Sequence, residues 1–347
     1  MTLRDEILEQ PEVAARFLAA QAEPVAAIGE ALRTRGFRYV VIAARGTSDH
    51  AAIYAQYVLG VRHGLTVGLG TPSVVSLYGA APDVRDALVI GISQSGQSPD
   101  IVAVLAAGRA QGAPTIAITN DPASPLARAA DWTIPLGAGP ERAIAATKTY
   151  TTELLAVALL STALSKRATK ADRAALAAIP DKIATALETE PDIRRIAADQ
   201  AGDSRALVVA RGFEYATARE WALKLKELAH VFADPYSSAD VRHGPLALVD
   251  AGVPVLAVAR TGAAAADVVA LLERLRDELH AQSMVVSDDP ATLKLATWAV
   301  RLPAGTPEWL GPIVSIIPGQ LHAMHLTLAR GLDPERPRHL SKVTRTT

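Results

Sequence analysis

The sequence contains no cysteine, which excludes disulfide bridges, thiolate metal ligands and a cysteine nucleophile within its 347 residues. Aromatic residues make up only 4% of the chain, and 35 Lys plus Arg nearly balance 36 Asp plus Glu, so the formal net charge is −1. This balance argues against a surface for nucleic acid. No apolar run approaches the roughly 20 residues that span a bilayer, and the first residues, MTLRDEILEQ, lack the apolar core of a signal peptide. We therefore expect a cytoplasmic protein that binds neither nucleic acid nor membranes.

Half of the residues are hydrophobic, and they follow a regular pattern. Short β-branched runs that end in Gly- or Ser-bearing loops alternate with longer stretches rich in Ala and Leu. This alternation predicts an α/β fold with mainly parallel sheets covered by helices. Strands are predicted near residues 39–44, 87–92, 114–119 and 131–135.

The same series of elements occurs twice. Arg45 matches Arg211 at an offset of 211 − 45 = 166, and Gly96 matches Gly262 at 262 − 96 = 166. Two landmarks at one offset indicate an internal duplication. The predicted segments are an N-terminal helical segment 1–24, a first domain 25–165, a linker 166–192, a second domain 193–335 and a tail 336–347.

Two loops of the first copy, in AARGTSDHAA and GISQSGQSPD, carry donors that suit a phosphate at helix N-termini. Helix capping explains such Ser and Thr residues in a single loop. Here two neighbouring loops carry them and the second copy lacks them, which favours a ligand. The spacing fits neither GxGxxG nor a Walker motif. The candidate residues are Gly46, Thr47, Ser48, Ser93, Gln94, Ser95, Gly96 and Ser98.

The segment WALKLKELAH predicts a helix with two distinct faces. One face is apolar and is expected to meet the core: Trp221, Leu225, Leu228 and Phe232. A second line consists of Glu220, Lys224 and Glu227. It is either a solvent-exposed ion-pair ladder, worth about 0.2–0.5 kcal/mol per pair, or part of a site. The Pro- and Ser-rich loop that follows carries His243. A histidine on such a loop can enter a site, although a lone histidine is more often incidental.

Four motifs in this order resemble those of the double sugar-isomerase (SIS) domain proteins: RGTSDHAA, SQSGQSPD, ALKLKELAHVFADPYSSADVRHGPLALVD and PRHLSKVTRTT. The resemblance extends from about residue 25 to the C-terminus. It is strongest to the isomerase half of glucosamine-6-phosphate synthase and to stand-alone SIS-type glucosamine-6-phosphate deaminases. It implies two tandem, flavodoxin-like αβα sandwiches with mainly parallel sheets.

The resemblance also implies roles for individual residues. Glu227 is expected to shuttle a proton between carbons 1 and 2 of an amino-sugar phosphate, with Lys224 beside it and Glu220 contacting the substrate. His243 is expected to assist ring opening and to enter the neighbouring subunit's site in a homodimer. Lys342 is expected to lie over the sugar, where the synthase's lysine can form an imine. The two hydroxyl-bearing loops are expected to hold the phosphate, and no metal or redox cofactor is required.

The chain departs from the synthase pattern in two respects. It has no glutaminase domain and no cysteine to release ammonia, so deamination of glucosamine-6-phosphate to fructose-6-phosphate is the expected reaction. Ala146 stands where the synthase usually has a sugar-contacting serine. Three alternatives stay open: deamination or deglycation of a related phosphosugar, dehydration of N-acetylglucosamine-6-phosphate, and a non-catalytic sugar-phosphate sensor. Regulators of the last kind carry a helix-turn-helix domain, for which residues 1–24 are too short.

Overall fold

The computed structural model describes residues 2–250 and 252–342, which form two compact units. The first unit consists of Glu12–Glu141, Lys148–Ala178 and the tail from Ser341. The second unit consists of the residues up to Pro11, Arg142–Thr147 and Ile179–Leu340. The domain boundaries predicted from the sequence follow the internal repeat, whereas these two units follow the compactness of the chain. The predicted boundaries stay a prediction.

The α-helices are numbered in chain order: α1 Leu3–Leu8, α2 Gln10–Arg35, α3 Thr47–His63, α4 Pro72–Ser76, α5 Pro99–Ala110, α6 Pro125–Ala129, α7 Lys148–Leu164, α8 Lys170–Ala177, α9 Ile179–Leu187, α10 Glu190–Asp199, α11 Tyr215–Lys224, α12 Ala265–Asp277, α13 Pro290–Leu293 and α14 Gly311–Ala329. Within the described residues, none of these helices combines the length and apolarity needed to cross a membrane.

The first unit is built on a parallel sheet of five strands: β1 Tyr39–Ala43, β2 Thr66–Leu69, β3 Ala87–Ile92, β4 Thr115–Thr119 and β5 Trp132–Pro135. The order across the sheet is β2-β1-β3-β4-β5. All residues of β3 and β4 are buried, as expected for central strands that are covered by helices on both faces. The four predicted strands are confirmed as β1, β3, β4 and β5. The edge strand β2 was not predicted.

The second unit repeats this sheet with β6 Arg205–Ala210, β7 Phe232–Ser237, β8 Val255–Val258, β9 Ser283–Ser287 and β10 Trp298–Arg301. The order is β7-β6-β8-β9-β10, which is the order of the first sheet. The first strands of the two sheets begin 205 − 39 = 166 residues apart, and the last begin 298 − 132 = 166 apart. The predicted fold class, two parallel α/β sandwiches in tandem, is confirmed.

One helix, α14, forms the interior of the second unit and is buried from Gly311 to Thr327. A side chain at Gly319 would collide with Trp221, whose Cγ lies 2.9 Å from the Cβ position. The Trp221 indole N–H donates to Nδ1 of His322 over 3.1 Å, and His322 Nε2 lies 2.7 Å from Gln200 Oε1. Burial lowers the pKa of His322 to about 3, so this histidine is neutral and belongs to the core.

The predicted apolar stripe is correct for Trp221, Leu225 and Leu228, which are buried, but wrong for Phe232, which is 84% exposed. The helix does not continue to Phe232. The chain changes from α-helix to π-helix over Leu225–Ala229 and stops at His230, which takes a left-handed conformation with φ of 54°. Phe232 then begins the edge strand β7, where a side chain no longer follows the helical period.

Candidate active site

The order of the first sheet reverses between the neighbouring strands β1 and β3, which is where open parallel sheets form a crevice. In open parallel sheets of this order, ligands bind beyond the carboxyl ends of those two strands. The loop after β1 leads into α3 through Gly46, and the loop after β3 leads into α5 through Ser98. The crevice therefore collects two helix N-termini, whose free N–H groups and positive dipole ends favour an anion.

The loop after β3 requires a glycine at one position. Gly96 has a φ of +61°, and a Cβ there would lie 2.2 Å from the Ser124 hydroxyl oxygen. The Gly96 amide donates to Ser93 Oγ over 3.1 Å, and the Gln97 amide donates to Ser95 Oγ over 3.3 Å. These serines therefore brace the loop as acceptors, and a hydroxyl that accepts a hydrogen bond still carries a hydrogen that it can donate. Capping and ligand binding are compatible in this loop.

The loop after β1 is tied to its surroundings by two carboxylates that the sequence reasoning missed. Arg45 Nε donates to Asp100 of α5 over 2.9 Å, which joins this loop to the helix that follows β3. Ser48 is buried, and its hydroxyl donates to the buried Glu153 of α7 over 2.8 Å. We therefore expect Ser48 to offer an anion its backbone N–H, since its hydroxyl hydrogen is already engaged.

At the equivalent place of the second sheet, beyond the carboxyl ends of β6 and β8, a carboxylate of the chain itself caps the helix that follows. The Glu308 carboxylate accepts the amide N–H groups of Ala263 and Ala264 over 3.0 and 3.3 Å, just before α12 begins. A Cβ at Gly262 would lie 2.3 Å from Glu308 Cδ. A carboxylate of the chain thus takes the position at a helix N-terminus that an anionic ligand would use. Only the crevice of the first copy keeps the hydroxyl-bearing loop.

The second unit contains a buried cluster of charges at the end of α11. Lys224 is 1% exposed, and its Nζ lies 2.5 Å from Glu227 Oε2 and 3.4 Å from Glu220 Oε1. Burial on its own lowers the pKa of Lys224, but the two carboxylates together outweigh it and raise this pKa above its usual value. Lys224 is therefore a permanent cation. The predicted line of Glu220, Lys224 and Glu227 is one cluster and not a solvated ladder.

Glu227 is the member of this cluster that reaches solvent. Its side chain is 23% exposed, whereas that of Glu220 is fully buried. Glu227 also lies in the π-helix Leu225–Ala229, an irregularity that is frequent at functional sites. An accessible carboxylate fixed by a buried ammonium group suits a base that must be ionised before it can accept a proton.

His243 ends a 3₁₀ turn, Asp240–His243, and is exposed. Within residues 2–250 and 252–342, it makes no hydrogen bond to Lys224 or Glu227. Ala146 lies half-buried in the segment Arg142–Thr147 of the second unit. This segment is held there by Glu6, which accepts the amide of Ala143 over 3.3 Å.

Lys342 belongs to the first unit, where its Nζ lies 2.7 Å from Glu141 Oε2. The sequence reasoning missed Glu141, although it follows β5 at the carboxyl end of the sheet, where site residues are expected. The part of the predicted tail after Lys342, residues 343–347, lies outside the described residues. The predicted residues are thus divided between the two units, and Glu220 and Glu227 are in direct contact with Lys224. The phosphate loops and Lys342 lie in the first unit, and Ala146, the Lys224 cluster and His243 lie in the second.

Comparison with known proteins follows the same division into two copies. The model of the SIS domain matches residues 37–163 and residues 201–330. The glutamine--fructose-6-phosphate aminotransferase (isomerizing) of Pyrococcus horikoshii is 33% identical over 344 residues, which cover 97% of this chain and 56% of that protein. The chain therefore spans about half the length of the curated relatives it matches.

Two solved structures resemble the whole chain. A candidate phosphosugar isomerase from Silicibacter pomeroyi DSS-3 superposes with a TM-score of 0.86 at 35% identity, covering 96% of this chain and 100% of that one. The C-terminal domain of glucosamine-fructose-6-phosphate aminotransferase from Francisella tularensis superposes with a TM-score of 0.86 at 26% identity, covering 96% and 98%.

Proposed function

Because the chain belongs to the SIS domain family, we propose that it is an enzyme that transfers a proton between adjacent carbons of a sugar phosphate. We propose further that its substrate is an amino-sugar phosphate and that it converts glucosamine-6-phosphate and water to fructose-6-phosphate and ammonia. The names of its relatives support this substrate class, because they combine a hexose 6-phosphate with aminotransferase and isomerizing activity.

The observation that carries the proposal is the pairing of Glu227 with the buried ammonium group of Lys224, 2.5 Å away. An aldose–ketose interconversion needs a carboxylate that removes a proton from one carbon and returns it to the next. Such a carboxylate must be accessible and held in place. Glu227 meets both conditions, because the buried Lys224 ammonium group holds it and about a quarter of the Glu227 side chain is exposed.

The proposed reaction proceeds from the open-chain aldehyde. Glu227 takes the proton from carbon 2, which leaves an enediol-type intermediate with the nitrogen still on carbon 2. The proton on Glu227, which exchanges with solvent because this side chain is partly exposed, is then delivered to carbon 1, so that carbon 2 becomes an imine. Water adds to the imine carbon and ammonia leaves, which gives the ketose phosphate and balances all atoms. Every step uses acid–base chemistry only.

The loops after β1 and β3 are proposed to bind the phosphate through N–H groups and hydroxyls, chiefly those of Thr47, Ser93, Ser95 and Ser98. His243 is proposed to assist ring opening from an exposed turn, within the site of a second copy of the chain. A homodimer is therefore proposed as the active form. Sedimentation of the active enzyme as a monomer would contradict the shared-site part of the proposal.

The test begins with glucosamine-6-phosphate, its N-acetyl form and other amino-sugar phosphates, with ammonia measured and products followed by NMR. In deuterium oxide, we expect deuterium at carbon 1 of the ketose product. Glu227→Gln should lower kcat by about 10²–10⁴-fold, whereas Glu273→Gln, at an exposed position of α12, should leave it unchanged.

Three other outcomes would contradict parts of this proposal. A Glu227→Gln enzyme as active as the parent removes Glu227 from the mechanism. A product that has lost water but kept its nitrogen identifies a dehydratase. Tight binding of sugar phosphates without turnover identifies a sensor.

A further inference from the structure

The C-terminal lysine of the described chain is held by a carboxylate far away in the sequence. Lys342 Nζ lies 2.7 Å from Glu141 Oε2, and the two residues are 201 positions apart. The Glu141 side chain is fully buried, whereas that of Lys342 is 25% exposed. Thr149 also donates to this carboxylate, through its amide to Oε1 over 3.1 Å and through its hydroxyl to Oε2 over 2.8 Å. A buried carboxylate is thus satisfied in part by a lysine that reaches solvent.

This ion pair lies at the functional edge of the first sheet. Glu141 follows the end of β5 at Pro135, and the carboxyl ends of parallel strands meet at one edge. Helix α7 connects the Glu141–Lys342 ion pair to the loop after β1. Its residue Thr149 binds Glu141, and its residue Glu153, one turn later, accepts the hydroxyl of Ser48. Residues four apart on a helix are neighbours, so the first turns of α7 hold both the tail lysine and the loop after β1.

We propose that Glu141 positions Lys342 as an ammonium ion at this edge, so that the tail lysine serves the substrate as a fixed cation and not as an imine-forming amine. This rests on the proposed function, in which Lys342 acts on the sugar phosphate. To attack a carbonyl, Lys342 Nζ would have to leave its position 2.7 Å from the fully buried Glu141 carboxylate, and parting a buried carboxylate from a cation is costly. As an ammonium ion it can stay in place and stabilise negative charge that develops on the substrate.

The positioning is tested without any assay of activity. Trypsin cleaves after lysine only when the side chain is released, so we follow cleavage after Lys342 by intact mass in the parent and in Glu141→Gln. The variant keeps the shape of the side chain but loses its charge, and we expect cleavage to be roughly tenfold faster. Cleavage after Lys166, which lies in an exposed loop, is the internal control and should not change. Equal rates after Lys342 in both proteins would overturn the positioning role.

The cationic role is tested by kinetics and by chemical trapping. Lys342→Arg keeps a cation but cannot form an imine, and we expect kcat within about tenfold of the parent, whereas Lys342→Met should lose about 100-fold or more. Glu141→Gln should lower kcat in the parent but not further in the Lys342→Met background, because it acts through Lys342. If Glu141→Gln instead lowered kcat further in the Lys342→Met background, its effect would be merely structural, and the proposal would be overturned.

To trap any imine, borohydride is added to the enzyme during turnover, and the peptides are then examined by mass spectrometry. We expect no reduced sugar adduct on Lys342, and such an adduct would overturn the fixed-cation role. If the parent turns over none of the sugars offered, the proposed function fails. The trypsin experiment still decides whether Glu141 positions Lys342.

Discussion

The buried cation Lys224 gives the sharpest prediction of stability. Replacing it with Met keeps most of the apolar stem but removes the charge between two carboxylates. Glu220, whose side chain is fully buried, then stays in the interior without its cation. Removing one partner of a buried ion pair costs about 3–5 kcal/mol. Because Glu227 is partly exposed and can be solvated, most of this loss is expected to come from Glu220.

The measurement is equilibrium unfolding in urea, followed by tryptophan fluorescence, for Lys224→Met and for the matched control Lys226→Met. Lys226 lies two residues away and is exposed, so its replacement should change the free energy of unfolding by no more than about 0.5 kcal/mol. Adding Glu220→Gln to Lys224→Met should restore part of the loss, because the stranded charge disappears. A loss below about 1 kcal/mol for Lys224→Met would refute the claim that Lys224 compensates buried charge.

Three further predictions concern other parts of the molecule. Gly96→Ala should cost about 1–3 kcal/mol through the collision with Ser124 and should weaken binding of inorganic phosphate in calorimetry. Gly79 has a similar positive φ, but a Cβ there would meet no atom of residues 2–250 and 252–342 within 4 Å. Gly79→Ala should therefore show the backbone strain alone, and equal losses of stability would contradict the steric argument. Glu308→Ala should cost about 0.5–2 kcal/mol in urea unfolding by uncapping α12, and an unchanged midpoint would show that this carboxylate does not stabilise the helix. His322 makes stability depend on pH: its pKa falls from 6.5 to about 3 on folding, so stability is complete above pH 6.5 and falls as the pH drops toward 3, by up to about 1.4 kcal/mol per pH unit. His322→Gln should flatten that slope between pH 7 and 5, and parallel slopes would assign the pH dependence to other groups.

Several elements follow from local pattern alone. The strands β3 and β4 are short runs rich in β-branched residues, and such runs are buried wherever a parallel sheet is covered by helices on both faces. Strand β2, Thr66–Leu69, escapes this reasoning because an edge strand is short and half-solvated and here contains glycine. Phe232 escapes it for a different reason. Helical periodicity assumes that the helix continues, and the π-helix with the left-handed His230 ends it two residues earlier.

The residues of the candidate site also fall into those that the sequence indicates and those that only the structure shows. Residue types and spacing single out the loop Ser93–Ser98, because its donors suit a phosphate, and they leave the line of Glu220, Lys224 and Glu227 open. The resemblance to the SIS domain proteins is what singles out Glu227 as a base and adds Lys342. The partners of these residues are not visible in sequence. Glu141 is 201 positions from Lys342, Glu153 is 105 from Ser48, and Glu308 reaches the amide of Ala263 from 45 positions away.

The sequence by itself determined the α/β class, the duplication at an offset of 166 and the side chains able to do chemistry, because periodicity and composition are local properties of the chain. Only the tertiary structure decided which of those side chains are paired with an opposite charge, which are held by hydrogen bonds, and which helix N-termini are already capped by a carboxylate of the chain. Whether a carboxylate such as Glu141 or Glu308 serves a ligand or a neighbouring group depends on what burial brings within hydrogen-bonding distance, and that is set by packing between segments far apart in the sequence.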